Sequence, residues 1–276
     1  TYERRWAEGE IFFMRSLCSS LSSAIQRSQS SAAQKKLNED LEKQTRELMI
    51  SNAELEQFAY VASHDLQEPL RMITSFMTKL EDRYASHLDD RGRRYIAFAV
   101  DGATRMRQNI LGLLQYSRVG KGDAVVGKID LNEVVEEITL LHQADINQCG
   151  ARIETAPLPV IKNYMAPVVQ MMNNLVSNAL KYRKQDVPPL IHISARQDGE
   201  FWEIAVRDNG IGIEAAYLQK IFVIFQRLHP KEQYEGTGIG LSVVKKIAEN
   251  LGGKVWVESA PGMGSTFYVT IRSVIA

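Results

Sequence analysis

The sequence predicts an α+β protein. A coiled-coil helix and an antiparallel helical hairpin, which pairs into a dimeric four-helix bundle, come first, and an α/β sandwich with a mixed sheet follows. Three observations predict this order: leucines recur every seven residues in the first part, two amphipathic stretches come next, and short β-type runs alternate with helical ones after a flexible linker at 120–127. At about 100–200 residues per domain, the length suits two domains.

The coiled coil rests on two core lines. One line carries Leu41, Leu48 and Leu55, and the other carries Leu37, Gln44, Ser51 and Phe58. This repeat favours a two-stranded coiled coil with an imperfect seam, because polar residues interrupt the second line. Farther upstream, the apolar stripe at 17–25 fits equally well a single amphipathic helix packed on another domain.

The hairpin is predicted from two apolar stripes at helical spacing. The first helix, about 51–83, carries Leu55, Phe58, Ala62, Leu66, Leu70, Ile73, Met77 and Leu80. The second, about 93–117, carries Ile96, Ala99, Ala103, Met106, Ile110 and Leu114. Two amphipathic helices alone cannot close a core, whereas two copies form a four-helix bundle, so we expect a homodimer.

After the linker the chain alternates between two patterns. The β-type runs are 125–129, 152–155, 191–196, 202–208, 254–259 and 266–271, and the helical stretches are 131–148, 165–182 and 239–251. This alternation predicts one mixed sheet covered by helices on one face.

Charge and cysteine content exclude several classes of function. Lys+Arg and Asp+Glu are both 33, so the net charge of +0 builds no field for nucleic acid or an anionic membrane. The two cysteines, Cys18 and Cys149, are too few for a disulfide framework or a zinc site and favour a reducing compartment. With no apolar run of 18 residues and no signal peptide, we expect a cytoplasmic protein without a membrane span. The start at Thr1, in a polar helical stretch, suggests a fragment whose upstream part is removed.

Four short motifs in the second half carry the chemistry. In the first, Asn174, Asn178 and Lys181 lie at i, i+4 and i+7 of a predicted helix, so they share a face. Amide oxygens and an ammonium group suit Mg²⁺ and phosphates. Solvated surface asparagines are an equal alternative for this motif alone.

In the second motif, Asp208 ends a predicted strand and is followed by Gly210 and Gly212. A carboxylate in this position can accept a hydrogen bond from an amine. The sequence Asp-Asn-Gly is, however, also a common turn.

The other two motifs lie farther along the chain. The run 221–227 places aromatic residues, usually core, before Arg227, which can reach a phosphate. The last motif opens a helix with Gly236, Thr237, Gly238, Gly240 and Leu241. Glycines there expose N–H groups that hold phosphate, but the motif lacks the Rossmann spacing and the Walker Lys-Ser/Thr pair.

Taken in this order, the motifs closely resemble the N, G1, F and G2 boxes of the histidine-kinase ATPase domain, a fold shared with gyrase and MutL. The segment 262–267 resembles the closing strand of that fold, and the likeness covers about 130–271. The resemblance implies ATP and Mg²⁺ as cofactors, with Asn178 on the metal and Asn174 beside it. It implies phosphate contacts from Lys181 and Arg227.

The same resemblance implies the rest of the nucleotide site. Asp208 reads the adenine amine, and Gly210 and Gly212 shape the base pocket. The remaining implied contacts are Tyr182, Gly236, Thr237, Gly238, Gly240, Leu241 and Thr266.

Upstream, 60–71 resembles the H box of the phosphoacceptor hairpin, in the form found in phytochrome-type sensor kinases. A lone histidine on a helix is usually structural. Here, however, Pro69 removes the hydrogen bond to the Asp65 carbonyl and should bend the helix beside His64, which a plain helix does not need. By resemblance, His64 is the phosphoacceptor and Asp65 a base or imidazole orienter, although adjacent helix positions do not face each other.

The implied function is a sensor histidine kinase: ATP-dependent autophosphorylation of His64, then transfer to an aspartate of a response regulator receiver domain. The implied division is a signalling helix at 1–50, a dimerisation and histidine phosphotransfer domain at 51–119, and a catalytic ATP-binding domain at 120–276. One rival is a gyrase- or MutL-type hydrolase, but Asn174 stands where those enzymes carry a water-activating glutamate. The other rival is a non-catalytic dimeric scaffold.

Overall fold

Both predicted hairpin helices are present in the computed structural model, which describes residues 8–84, 87–118, 126–228, 234 and 237–272. The first, α1 (Glu8–Tyr84), is one continuous helix that includes the predicted coiled-coil segment and contains Pro69. The second is α2 (Asp90–Arg118), whose first turn holds an acidic residue, as the helix dipole favours. No helix within the described ranges is long and apolar enough to cross a membrane.

The chain divides into two compact units, 1–58 and 59–276. In the first unit every side chain that the structure describes is exposed. These include two leucines of the seven-residue repeat, Leu41 and Leu48. The described part of the predicted seam is therefore exposed to solvent in a single chain.

In the second unit, the hairpin buries only part of its apolar surface. Leu70, Ile96 and Ala103 are buried, whereas the larger Phe76 and Phe98 remain exposed. The hairpin thus keeps an apolar surface that one chain does not cover.

The rest of the second unit is the α/β part. Its helices are α3 (Leu131–Leu141), α4 (Gln143–Cys149), α5 (Met165–Lys181) and α6 (Gly240–Asn250). Its strands are β1 (Val126–Asp130), β2 (Arg152–Thr155), β3 (Val160–Tyr164), β4 (Leu190–Asp198), β5 (Phe201–Asp208), β6 (Val255–Ala260) and β7 (Gly264–Arg272). Five strands form one sheet in the order β2-β4-β5-β7-β6, in which only the β2–β4 pair is parallel. The predicted mixed sheet is therefore present.

Helix α5 lies in the centre of the core because one of its faces is almost wholly apolar. Its buried side chains are Val168, Met171, Met172, Leu175, Val176, Ala179 and Leu180. They join buried residues from alternate positions of the central strands, among them Ile204, Val206 and Val269. The opposite face of α5 is thereby left to carry polar residues.

Two details differ from the prediction. Strand β3 was not predicted, and it pairs with β1 in a separate two-stranded sheet. Its apolar alternation is weak in the sequence because one of its two buried positions is Asn163. The Asn163 amide donates a hydrogen bond to the carbonyl of Arg272 at 3.0 Å. The predicted helix 131–148 is also interrupted at His142, whose half-buried side chain has its Nε2 2.8 Å from Asn173 Oδ1.

The hairpin meets the α/β part where α2 packs on α6. Gly112 is buried against the side chain of Ile239, which immediately precedes α6, so a larger residue would require that side chain to shift. Lys246 of α6 donates a hydrogen bond to the carbonyl of Tyr116 at 2.8 Å and lies 4.5 Å from the centre of its ring.

Candidate functional site

A cavity of about 280 Å³ lies at the polar face of α5, the end of β5 and the start of α6. Eleven of the fourteen predicted nucleotide contacts line it: Asn174, Asn178, Lys181, Tyr182, Asp208, Gly212, Arg227, Thr237, Gly238, Gly240 and Leu241. Its apolar lining, which was not predicted from the sequence, includes Ile211, Ile213, Ile221 and Phe267. The cavity thus combines an apolar wall with a few convergent polar groups, as small-molecule sites do.

Two of the three asparagines of α5, Asn174 and Asn178, are unusual because part of each amide is buried without a partner in the described part of the chain. The Nδ2 atoms of Asn174 and Asn178 are enclosed and have no hydrogen-bond partner among the residues that the structure describes. A Cβ at Gly240 would lie 3.6 Å from Asn174 Oδ1 and 3.8 Å from Asn178 Nδ2, so the start of α6 packs closely over both amides. Buried polar groups in proteins are nearly always paired, so these amides fit a polar ligand or a hydrated metal ion.

Asp208 is buried, with 9% of its surface exposed. Its Oδ1 accepts hydrogen bonds from the backbone N–H groups of Gly210, at 2.8 Å, and Ser265, at 3.1 Å. Burial raises the pKa of this carboxyl above its ordinary value, and the two backbone hydrogen bonds oppose that rise. Because both bonds go to Oδ1, Oδ2 is left for a ligand in the cavity.

The two glycines after Asp208 are required by close backbone contacts. A Cβ at Gly210 would overlap the carbonyl oxygen of Tyr182. Gly212 has a φ of 72°, and a Cβ there would overlap the carbonyl oxygen of Ala260. Gly210 therefore shapes the loop without lining the cavity, whereas Gly212 does both.

On the opposite side of the cavity, the turn before Arg227 is strained. Phe225 has a φ of 63°, an unfavourable conformation for an aromatic residue. This turn packs on Gly238, where a Cβ would lie 2.8 Å from the carbonyl oxygen of Gln226. Arg227 itself is half-buried, and its Nη2 donates a hydrogen bond to the carbonyl of Tyr234 at 2.9 Å.

Three predicted residues are not placed in the cavity. Gly236 lies outside the described residues. Thr266 pairs with Arg207 and Glu258 across the sheet, and strand alternation turns its side chain away from the cavity that Ser265 and Phe267 line. Gly210, as described above, acts only through its backbone.

The predicted phosphoacceptor lies on α1. His64 is helical, but its side chain lies outside what the structure describes. The next residue, Asp65, is exposed, and Ser63 before it is buried.

Sequence comparisons identify relatives of this chain. Residues 165–275 match the family of histidine kinase-, DNA gyrase B- and HSP90-like ATPases. The chain is 41% identical over 233 residues to phytochrome-like protein Cph1 of Synechocystis, a match that covers 84% of this chain and 31% of that protein. It is 30% identical over 270 residues to the methanogenesis regulatory histidine kinase FilI of Methanothrix harundinacea, covering 98% of this chain and 30% of that protein. The chain therefore spans about a third of the length of these curated relatives.

Solved structures share the fold. Full-length ShkA in complex with AMPPNP matches with a TM-score of 0.58 at 22% identity, over 80% of this chain and 47% of that one. ThkA in complex with the response regulator TrrA matches with a TM-score of 0.54 at 21% identity, over 81% of this chain and 64% of that one. At such identities the likeness concerns the fold, and it confirms the predicted helical hairpin followed by a mixed-sheet domain. The sequence matches identify the chain as a sensor histidine kinase catalytic core.

Proposed function

We propose that the chain catalyses autophosphorylation of His64 from ATP and then transfers the phosphoryl group to an aspartate of a response regulator receiver domain. The observation that carries the proposal is the cavity in which two cations and a buried carboxylate converge with two amides, whose nitrogens are buried without a partner among the described residues. The named relatives support a kinase, and the ThkA–TrrA complex supports a response regulator as the partner. The same proposal includes a reducing, cytoplasmic location. It also includes the division into a signalling helix at 1–50, a dimerisation and phosphotransfer domain at 51–119 and a catalytic domain at 120–276.

The amides of α5 suit a nucleotide-bound Mg²⁺. No group of three or more His, Cys, Asp or Glu side chains in the described part of the chain could hold a metal ion. The metal ligands would therefore be an amide oxygen of Asn178, with Asn174 beside it, and the phosphates themselves. When bound, Mg²⁺ supplies neutralisation of the phosphate charge.

Lys181 and Arg227 approach the cavity from different sides, which suits them to hold phosphate oxygens. Lys181 is on α5, with its Nζ 4.6 Å from the centre of the Tyr182 ring, while Arg227 comes from the strained turn. Phosphoryl transfer depends chiefly on positioning and charge neutralisation, so two fixed cations supply what the reaction requires.

The reaction itself takes place at the imidazole of His64. A neutral ring nitrogen attacks the γ-phosphorus, the bond to the bridging oxygen breaks, and ADP leaves with that oxygen. Asp65 accepts the remaining ring proton or orients the ring. Imidazole is largely neutral near pH 7, so no strong base is needed to activate it.

Asp208 is proposed to select adenine, and Asp208→Asn tests this. The substitution keeps an oxygen for the backbone N–H groups of Gly210 and Ser265 but turns an N–H donor toward the base. We expect ATP to bind about 10–100-fold more weakly, because a charge-assisted hydrogen bond is replaced by two opposed donors. ITP, whose base carries an oxygen acceptor in place of the amine, should lose much less affinity. Competition binding with both nucleotides measures the change.

Thermal unfolding and pH serve as controls for Asp208. Its raised folded-state pKa means that the buried charge costs stability near neutral pH, so Asp208→Asn should unfold at the same temperature or higher. In the unchanged protein, ATP affinity should fall as pH drops through that raised pKa, and this acid loss should be absent in Asp208→Asn. Equal weakening of ATP and ITP would contradict the assignment.

The exposed apolar surface of the hairpin supports a homodimer. Phe76, Leu80 and Phe98 are exposed in the single chain, although each belongs to an amphipathic helix. We expect light scattering at micromolar concentration to give about twice the chain mass of 31.1 kDa, since two hairpins can bury these residues together. Phe76→Asp should shift the protein toward the monomer, whereas Glu81→Lys, at an exposed position five residues along the same helix, is the control. A stable monomer for the unchanged chain would contradict the proposal.

A further inference from the structure

We propose that Tyr234 is a positioning residue that holds both phosphate-binding cations in place, an inference that rests on the phosphate roles proposed above for Arg227 and Lys181. None of the four motifs contains Tyr234. Its contacts nevertheless join the two sides of the cavity on which those cations lie.

The first contact fixes the guanidinium group. Arg227 Nη2 donates to the Tyr234 carbonyl at 2.9 Å, in a partly buried position. A guanidinium has five N–H donors in a plane, so one bond to a carbonyl sets the orientation of the group and leaves other donors for phosphate oxygens. The place of this carbonyl therefore determines where Arg227 points.

The second set of contacts fixes Tyr234 itself to the end of α5. Its hydroxyl donates to the carbonyl of Arg183 at 3.2 Å, just beyond the end of the helix, where backbone carbonyls lack helical partners. Its ring packs on Tyr182, with centroids 5.2 Å apart and an interplanar angle of 47°. Lys181 Nζ lies 4.6 Å from the centre of the same Tyr182 ring. The side chain of Tyr234 thus supports Lys181 through Tyr182 and supports Arg227 through its own backbone.

This arrangement has a specific consequence for ligand affinity. Long cationic side chains lose rotamer freedom when they bind, and holding them in place beforehand reduces that loss. The benefit reaches only ligands that contact the cations. Loss of Tyr234 should therefore weaken binding in proportion to the number of phosphates, with ATP affected most, ADP less and adenosine not at all.

The test measures affinities for ATP, ADP and adenosine on the full chain with Mg²⁺. Tyr234→Ala should weaken ATP binding about five- to tenfold and leave adenosine binding unchanged. Tyr234→Phe keeps the ring and loses only the hydrogen bond of the hydroxyl, so it should weaken ATP binding about two- to threefold. Tyr217→Ala is the matched control, because this half-buried tyrosine contacts Lys220 and does not line the cavity.

A double-mutant cycle with Arg227→Ala tests the positioning role of Tyr234 separately from the phosphate role of Arg227. In the Arg227→Ala background, Tyr234→Ala should have a clearly smaller effect on ATP than in the unchanged protein, since coupled residues are not additive. Equal weakening of ATP and adenosine by Tyr234→Ala would indicate a structural role and overturn the inference. If Arg227→Ala weakens ATP binding but Tyr234→Ala does not, only the positioning role fails. If Arg227→Ala leaves ATP affinity unchanged, both the phosphate role proposed for Arg227 and the positioning role of Tyr234 fail.

Discussion

His64→Gln should abolish incorporation of phosphate from γ-labelled ATP while leaving ATP affinity unchanged. Glutamine keeps a polar side chain and favours helix, so α1 should be preserved at this position. The amide nitrogen of glutamine, in contrast, has no available lone pair to attack phosphorus. Binding should be intact because none of the cavity-lining residues belongs to the hairpin.

The measurement is labelling followed by mass spectrometry under conditions that preserve phosphohistidine. His192→Gln provides a matched control, because His192 is an exposed histidine on strand β4 and should be dispensable. Label retained in His64→Gln would assign the acceptor to another residue. Steady release of inorganic phosphate without any phosphoprotein would instead favour the gyrase- or MutL-type hydrolase.

The sequence predicted the α5 part of the site because that part depends on local geometry. Asn174, Asn178 and Lys181 share a helix face at spacings of three and four residues, and the structure brings all three to one cavity. Asp208 could be predicted for a similar reason, because it directly follows a run of strand residues and precedes two glycines.

The remaining features depend on contacts between distant segments, which local patterns do not encode. Tyr234 meets Arg183 across 51 positions of the chain, and Ser265 reaches Asp208 across 57. Strand β3 was missed because Asn163 fills a buried position that a strand pattern expects to be apolar. The one signal available for Tyr234 was its place between two motifs, which does not distinguish it from an ordinary surface residue.

Asn178→Ala should eliminate autophosphorylation without destabilising the fold. The predicted metal ligand is half-buried, rather than exposed, and its Nδ2 is enclosed without a partner in the described part of the chain. Removing an unpaired buried donor relieves a desolvation cost of about 1–3 kcal/mol, which offsets the packing lost with the amide. We therefore expect an unfolding temperature equal to or above that of the unchanged protein, and a loss of labelling of about a hundredfold or more, as expected when a charge-stabilising group is removed.

The neighbouring Asn173→Ala is the matched control, and its expected result is the reverse. Asn173 lies on the same helix, and its Oδ1 accepts a 2.8 Å hydrogen bond from His142 Nε2, but it does not line the cavity. Its loss should cost about 1 kcal/mol of stability and leave labelling intact. This opposite pattern separates a ligand role from a packing role, because one substitution removes activity at constant stability and the other removes stability at constant activity. Full activity in Asn178→Ala, or equal effects in both variants, would contradict the assignment of Asn178 to the metal.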